Sequence, residues 1–167
     1  VRRFRTALAL GVVLVLLLAG CGAEKPKQLA IGDPAPDFTA VDYRGRQVRL
    51  ADWRGRPVVI RFFYPDCKYC KADTKIFNDY YARYHDQGLE IVYVNTRPQS
   101  ADIATFAAEL GIEFPVVTDI DGSIASRYSV QVVPQAIILT PEHRVATAVM
   151  GGVSGEELEE LLGKYFQ

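Results

Sequence analysis

From Leu29 onward the chain switches between short apolar runs and longer stretches in which apolar residues recur every third or fourth position, and each change of period marks an element. Val58–Tyr64 (Val-Val-Ile-Arg-Phe-Phe-Tyr) is apolar at nearly every position, as in a central strand buried on both faces. Glu90–Asn95 repeats that texture. Between them, Lys68 to about Asp86 carries Ile76, Tyr80 and Tyr84, with Phe77 and Tyr81, at spacings of four. This predicts a helix whose aromatics face a core, ended by Gly88. A second helix is predicted with Ser100 as its cap, Ile103, Phe106, Ala107 and Leu110 on one face, and Gly111 as its stop.

Shorter pieces flank this middle. Ile31–Phe38 is too proline-dense for helix and runs extended into a strand at Phe38–Val41; Asp42–Arg46 turns it into Gln47–Leu50, making a hairpin. Ala51–Gly55 fits one helical turn, with Trp53, the sole tryptophan, expected in the core. Pro115–Thr118 is extended, and Asp119-Ile120-Asp121-Gly122 is a turn. That turn lacks the acidic twelfth position of a calcium loop, where Val130 stands. Ile124–Tyr128 fits a short helix, and Ala136–Thr140 and Val145–Met150 form a hairpin about Pro141-Glu142-His143-Arg144. Ser154-Gly155-Glu156-Glu157 is a capping box opening a helix with Leu158, Leu161, Leu162 and Tyr165 on one side. The order β-β, β-α-β-α, β-β-α predicts an α/β fold: a mixed central sheet, helices on both faces, and an N-terminal β-hairpin extension.

Composition adds a division of the chain. With 167 residues, 49% of them hydrophobic, and a net charge of −1, the chain is one domain plus a smaller segment. Arg2, Arg3 and Arg5 precede an uncharged apolar run, Ala7–Ala19, which reads as a secretory signal too short to span a membrane. Leu18-Ala19-Gly20-Cys21 resembles the lipobox of bacterial lipoproteins, which implies cleavage before Cys21 and a lipid on Cys21; an uncleaved anchor gives the same topology. The expected division is therefore a signal peptide at 1–20, a lipidated cysteine and polar tether at 21–28, and a domain at 29–167. Losing Arg2, Arg3 and Arg5 from 19 Lys+Arg, against 20 Asp+Glu, leaves the mature chain near −4, a balance that does not favour nucleic acid. A lipid tether places the domain at an extracytoplasmic face of the bacterial envelope, with membrane contact through the anchor alone, where disulfides are permitted.

The chemistry sits in Tyr64-Pro65-Asp66-Cys67-Lys68-Tyr69-Cys70. Two cysteines three apart, after a strand and at a helix start, are the setting of a redox-active dithiol. The helix N-terminus favours a thiolate on Cys67, and Cys70, one turn on, is close enough to resolve a mixed disulfide or close a ring. Half a zinc site and buried structural thiols are the alternatives. A structural zinc site usually needs four ligands, and no second Cys or His cluster accompanies this pair.

Several segments, in this order, resemble the thioredoxin fold and, within it, the membrane-tethered thiol–disulfide oxidoreductases of the ResA/TlpA type. They are Gly32-Asp33-Pro34-Ala35-Pro36-Asp37-Phe38, Leu50–Pro57, Cys67–Cys70, Gly88–Val92, Phe114–Val117 and Val132-Val133-Pro134. The resemblance implies a thioredoxin-like three-layer sandwich, no cofactor and no metal. It implies Cys67 as nucleophile, Cys70 as resolving cysteine in a Cys67–Cys70 disulfide, and a cis peptide bond before Pro134 beside the dithiol. A carboxylate under the dithiol shuttles protons in that family, and Asp73 holds the position here. The partners implied are protein thiols and disulfides, with apocytochrome c one possible substrate in cytochrome c maturation, and a membrane thiol–disulfide electron donor that makes the protein a reductant.

The chain departs from that pattern in two places. Asp66 stands where relatives carry an aromatic residue; its charge raises the thiolate pKa while Lys68 lowers it. Arg61 lies in a strand expected to be buried and needs a partner; pairing with Asp73, holding that carboxylate ionised, is the expectation. Gln135, often Thr in relatives, alters the substrate groove. Two rival chemistries are weaker fits. A peroxidase of the peroxiredoxin type wants Thr or Ser three before its cysteine, where Cys67 has Tyr64. An SCO-type copper-delivery protein wants C-x-x-x-C and a later histidine; the spacing is one short, and His143, expected at the surface, is the sole candidate because His85 lies on a helix.

Overall fold

The computed structural model describes residues 28–99 and 102–166. The predicted signal segment, Cys21, most of the tether and the Ser100 cap lie outside the described residues. A two-stranded antiparallel hairpin comes first, β1 (Thr39–Val41) and β2 (Gln47–Arg49). A five-stranded sheet follows, built from β3 (Val58–Phe63), β4 (Glu90–Asn95), β5 (Val116–Thr118), β6 (Gln135–Leu139) and β7 (Val145–Met150), in the order β5-β4-β3-β6-β7. β3, β4 and β5 are parallel, while β6 runs antiparallel to both β3 and β7. The helices are α1 (Lys68–Tyr84), α2 (Ile103–Glu109), α3 (Ser123–Arg127) and α4 (Gly155–Leu162).

Strand parity sorts β3 onto two cores. Val59 and Phe63 join the core under α1, α2 and α4, with Phe77, Phe106 and Leu158. Val58, Ile60 and Phe62 join a second core under the hairpin and α3, with Phe38, Leu50 and Tyr128. The result is the three-layer α/β sandwich with a mixed sheet, here with β1–β2 covering part of one face. By the same parity Arg61, fully buried, points to the α1 side.

Among the described residues Asp102 caps α2, its carboxylate accepting the Ala104 N–H at 2.9 Å. Two local expectations change. Trp53 is half-buried at the edge of the second core, because the 3-10 turn Leu50–Trp53 directs Leu50, not the indole, inward. His143 is buried, at 3% exposure, rather than at the surface. Its backbone is left-handed (φ 57°) in the β6–β7 turn, and the ring lies near the Trp53 main chain. The chain's opening segment lies over this turn: the Ala35 N–H donates to the His143 carbonyl (2.8 Å), and the Gly32 and Asp33 backbones pair with Val145.

Candidate active site

β3 delivers the chain to the sheet's C-terminal edge, where Tyr64-Pro65-Asp66 turns into α1. The turn is closed by the Cys67 N–H donating to the Tyr64 carbonyl at 3.1 Å. Cys67 is the N-cap of α1, and its Sγ accepts the Cys70 N–H at 3.2 Å. Cys67 and Cys70 are joined as a disulfide with Cα atoms 5.2 Å apart. Cys67 keeps 5% exposure and Cys70 none. The sulfur that accepts a hydrogen bond at the helix start is therefore also the less buried of the two, which suits a thiolate nucleophile. Asp66 and Lys68 are both exposed, so solvent screens their opposing influences on it. Tyr69, 62% exposed, lies under the Lys68 ammonium (4.8 Å).

Pro134 reaches the same edge from β6. Gln135 pairs with Phe62, so Pro134 comes level with the end of β3. The Val133–Pro134 bond is cis, and the Pro134 carbonyl accepts the Gly151 N–H at 2.8 Å.

Beneath the dithiol, Arg61 and Asp73 meet. The Arg61 Nη2 donates to Asp73 Oδ2 in a short ion pair, and Nη1 donates to the Gly151 carbonyl at 3.1 Å. The Val153 N–H donates to the same Asp73 oxygen at 3.0 Å, and the guanidinium also lies 5.1 Å from the centre of the Phe77 ring. Asp73 stands one helical turn after Cys70, on the same buried stripe of α1. Its other oxygen, Oδ1, is buried without a hydrogen-bond partner, as is Arg61 Nε. Burial opposes both charges: it pushes the Asp73 carboxyl above its ordinary value and the Arg61 guanidinium below, each against the attraction of the other. Arginine stays charged throughout. Arg61 thus lies against Asp73, and burial raises the carboxyl's affinity for a proton against the opposing pull of the guanidinium.

His143 and the dithiol occupy opposite ends of the sheet. Leu139, before the His143 turn, pairs with Val58 at the start of β3, a strand's length (about 17 Å) from the end that carries Cys67. A copper site shared by these groups is geometrically excluded. The loop Gly151–Val153, whose main chain holds Arg61 and Asp73, had no marker in the sequence beyond the Gly151-Gly152 pair after β7. Gln135, buried after Pro134, is a further polar group at this edge.

A mixed sheet of this topology, with a Cys-x-x-Cys disulfide at a helix N-terminus facing a cis-proline, defines a thioredoxin-like thiol–disulfide oxidoreductase. The chain belongs to the AhpC/TSA family, whose profile matches residues 31–148. It is 32% identical over 159 residues to the thiol-disulfide oxidoreductase ResA of Geobacillus thermodenitrificans, covering 90% of this chain and 91% of that one. Among solved structures it resembles a Chlorobium tepidum protein assigned as the thiol:disulfide interchange protein DsbE (TM-score 0.77, 27% identity, 84% of this chain and 100% of that one). It also resembles a secreted disulfide oxidoreductase of Mycobacterium tuberculosis homologous to E. coli DsbE (TM-score 0.67, 26% identity, 76% and 95%). The chain is an oxidoreductase acting on thiols and disulfides.

Proposed function

We propose that this chain is a lipid-tethered, extracytoplasmic reductant of protein disulfides. In the reduced state the Cys67 thiolate attacks a partner disulfide, forming a Cys67–partner disulfide and releasing one partner thiolate. Cys70 then attacks the Cys67 sulfur and releases the second. The partner gains two electrons and two protons, and Cys67–Cys70 is left oxidised. Asp73, through its unpartnered Oδ1, takes the Cys70 proton as that thiol becomes a nucleophile, with Arg61 as its counter-ion and Pro134 shaping the groove. A membrane thiol–disulfide donor restores the dithiol, and the disulfide of oxidised apocytochrome c is one substrate of fitting chemistry. The signal segment 1–20 and Cys21 supply the anchor of the 29–167 domain. The secreted relative supports this location.

The observation that carries the reading is the asymmetry of the pair: a helix-capping Cys67 that keeps 5% exposure and a Cys70 that keeps none. A lipid-free form beginning at Gln28 is expected to reduce protein disulfides with a dithiol donor. Cys67→Ala drops turnover to background, and Cys70→Ala accumulates mixed disulfides seen on non-reducing gels. Unchanged turnover in Cys67→Ala would overturn the assignment. Cys21→Ser is expected to release the full chain from the membrane fraction; continued membrane association in that variant would refute the lipid anchor.

A further inference from the structure

Beside the dithiol lies a cleft of about 330 Å³ that the exchange chemistry itself does not use. One wall is Tyr64 and Arg97, the other the Gln131–Val133 segment leading into Pro134, with Val130 and Ala125 between them. Its two walls lead directly into the site: the Tyr64 carbonyl receives the Cys67 N–H, and Val133 precedes Pro134 across the cis bond. Arg97 is the charged residue among the described residues that line it.

The Arg97 wall is built rather than loose. Buried Asn95 holds the Arg97 main chain at both ends, its Oδ1 accepting the Arg97 N–H (3.0 Å) and its Nδ2 donating to the Arg97 carbonyl (3.2 Å). Thr96 is fastened to the end of β3 by two hydrogen bonds to the Phe63 carbonyl (2.9 and 3.2 Å). The guanidinium carbon lies over the Tyr64 ring, 3.9 Å from its centre, which holds a cation at the cleft's rim beside an aromatic wall. Across the cleft, Val132 is an exposed aliphatic side chain (51%). The mature chain is net acidic by composition, yet the Tyr64–Lys71 stretch carries Lys68 and Lys71 against Asp66 alone.

We infer that this cleft takes the extended polypeptide flanking the partner's reactive cysteine and that Arg97 selects partners carrying an acidic side chain there. This rests on the exchange reading above and adds its substrate class. Arg97 acts as a specificity-determining residue: its charge lowers the cost of bringing a carboxylate beside the Cys67 thiolate and raises that of a lysine. The electrons still pass from the reduced dithiol to the partner disulfide, with Cys67–Cys70 oxidised and two partner thiols released.

The test uses the pre-reduced full chain in detergent and three disulfide-linked peptides that differ only in having Glu, Gln or Lys next to the cysteine, with single-turnover rates read by acid quench. The Glu peptide is expected to react about fivefold faster than the Lys peptide at low ionic strength, with the ratio collapsing toward one at about 0.5 M salt. Arg97→Gln levels the rates and Arg97→Glu inverts their order. Equal Glu and Lys rates in the wild-type chain would overturn the inference while leaving the exchange reading intact. An unaltered ratio in Arg97→Glu would equally overturn it, assigning the preference to Lys68 or Lys71. Absence of exchange with all three peptides would overturn the oxidoreductase mechanism and this inference with it.

Discussion

Arg61 has no solvent exposure and Asp73 only 5%, so each charge depends on the other and on the main chain of Gly151 and Val153. Removing one partner from such a pair is costly, whereas removing both leaves a neutral, packable space. Asp73→Asn strands the guanidinium, which cannot shed its proton, and is expected to destabilise the oxidised chain by about 3–5 kcal/mol in urea unfolding. Arg61→Met costs less, because burial already raises the Asp73 proton affinity and the acid can neutralise itself. The double variant recovers most of the loss; strictly additive losses would refute the coupling. This contact is legible in the sequence, because strand parity turns Arg61 toward α1 and Asp73 follows Cys70 by one turn. The third participant is not legible. A carbonyl at Gly151 and an N–H at Val153 belong to the main chain, so no side chain announces them.

At the scale of elements, the turns do more than the sequence pattern announces. Asp119 is one case: the Asp119–Gly122 stretch reads as a plain turn, yet the buried Asp119 carboxylate accepts the Ile124 N–H (3.1 Å) and the Ala125 N–H (2.8 Å), capping α3 from outside the helix. With five residues, α3 has too few internal hydrogen bonds to stand alone. Asp119→Ala is expected to cost about 1–2 kcal/mol. Amide exchange should quicken in residues 123–128, which form one side of the core around Tyr128, while α1 exchanges as before. Uniformly quickened exchange would instead assign Asp119 a global role. The long, strongly periodic elements β3, α1 and β4 lie close to where the apolar pattern puts them, because burial alone specifies them. Caps are decided by single hydrogen bonds, and Asp102 and Asp119 take that role through their position in three dimensions, which the apolar pattern does not report.

Across the whole molecule, the two ends of the sheet have different tasks. The dithiol, the cis-proline and the Arg97 cleft occupy the C-terminal edge of β3, and the opposite edge fastens the opening segment through His143. A lone histidine in a polar turn gives no sequence sign of burial; the Ala35–His143 and Gly32–Val145 backbone bonds that cover it join residues about a hundred positions apart. The consequence is a pH dependence of stability. Burial holds the His143 imidazole below its ordinary value of 6.5, with Arg54 adding to that effect and the nearby Trp53 main chain and Asp37 opposing it. Below about pH 6.5 the unfolded chain takes up a proton that the folded chain refuses, so stability is full above that pH and falls as pH drops toward the folded pKa. The slope from this one group cannot exceed about 1.4 kcal/mol per pH unit. His143→Asn keeps a residue that tolerates the left-handed backbone and removes the titration. Urea unfolding of the two proteins from pH 8 to pH 5 should therefore show the wild type losing stability faster than the variant below about pH 6.5. Parallel curves would show that the acid-sensitive fastening lies in another group and that His143 holds the opening segment through its main chain alone.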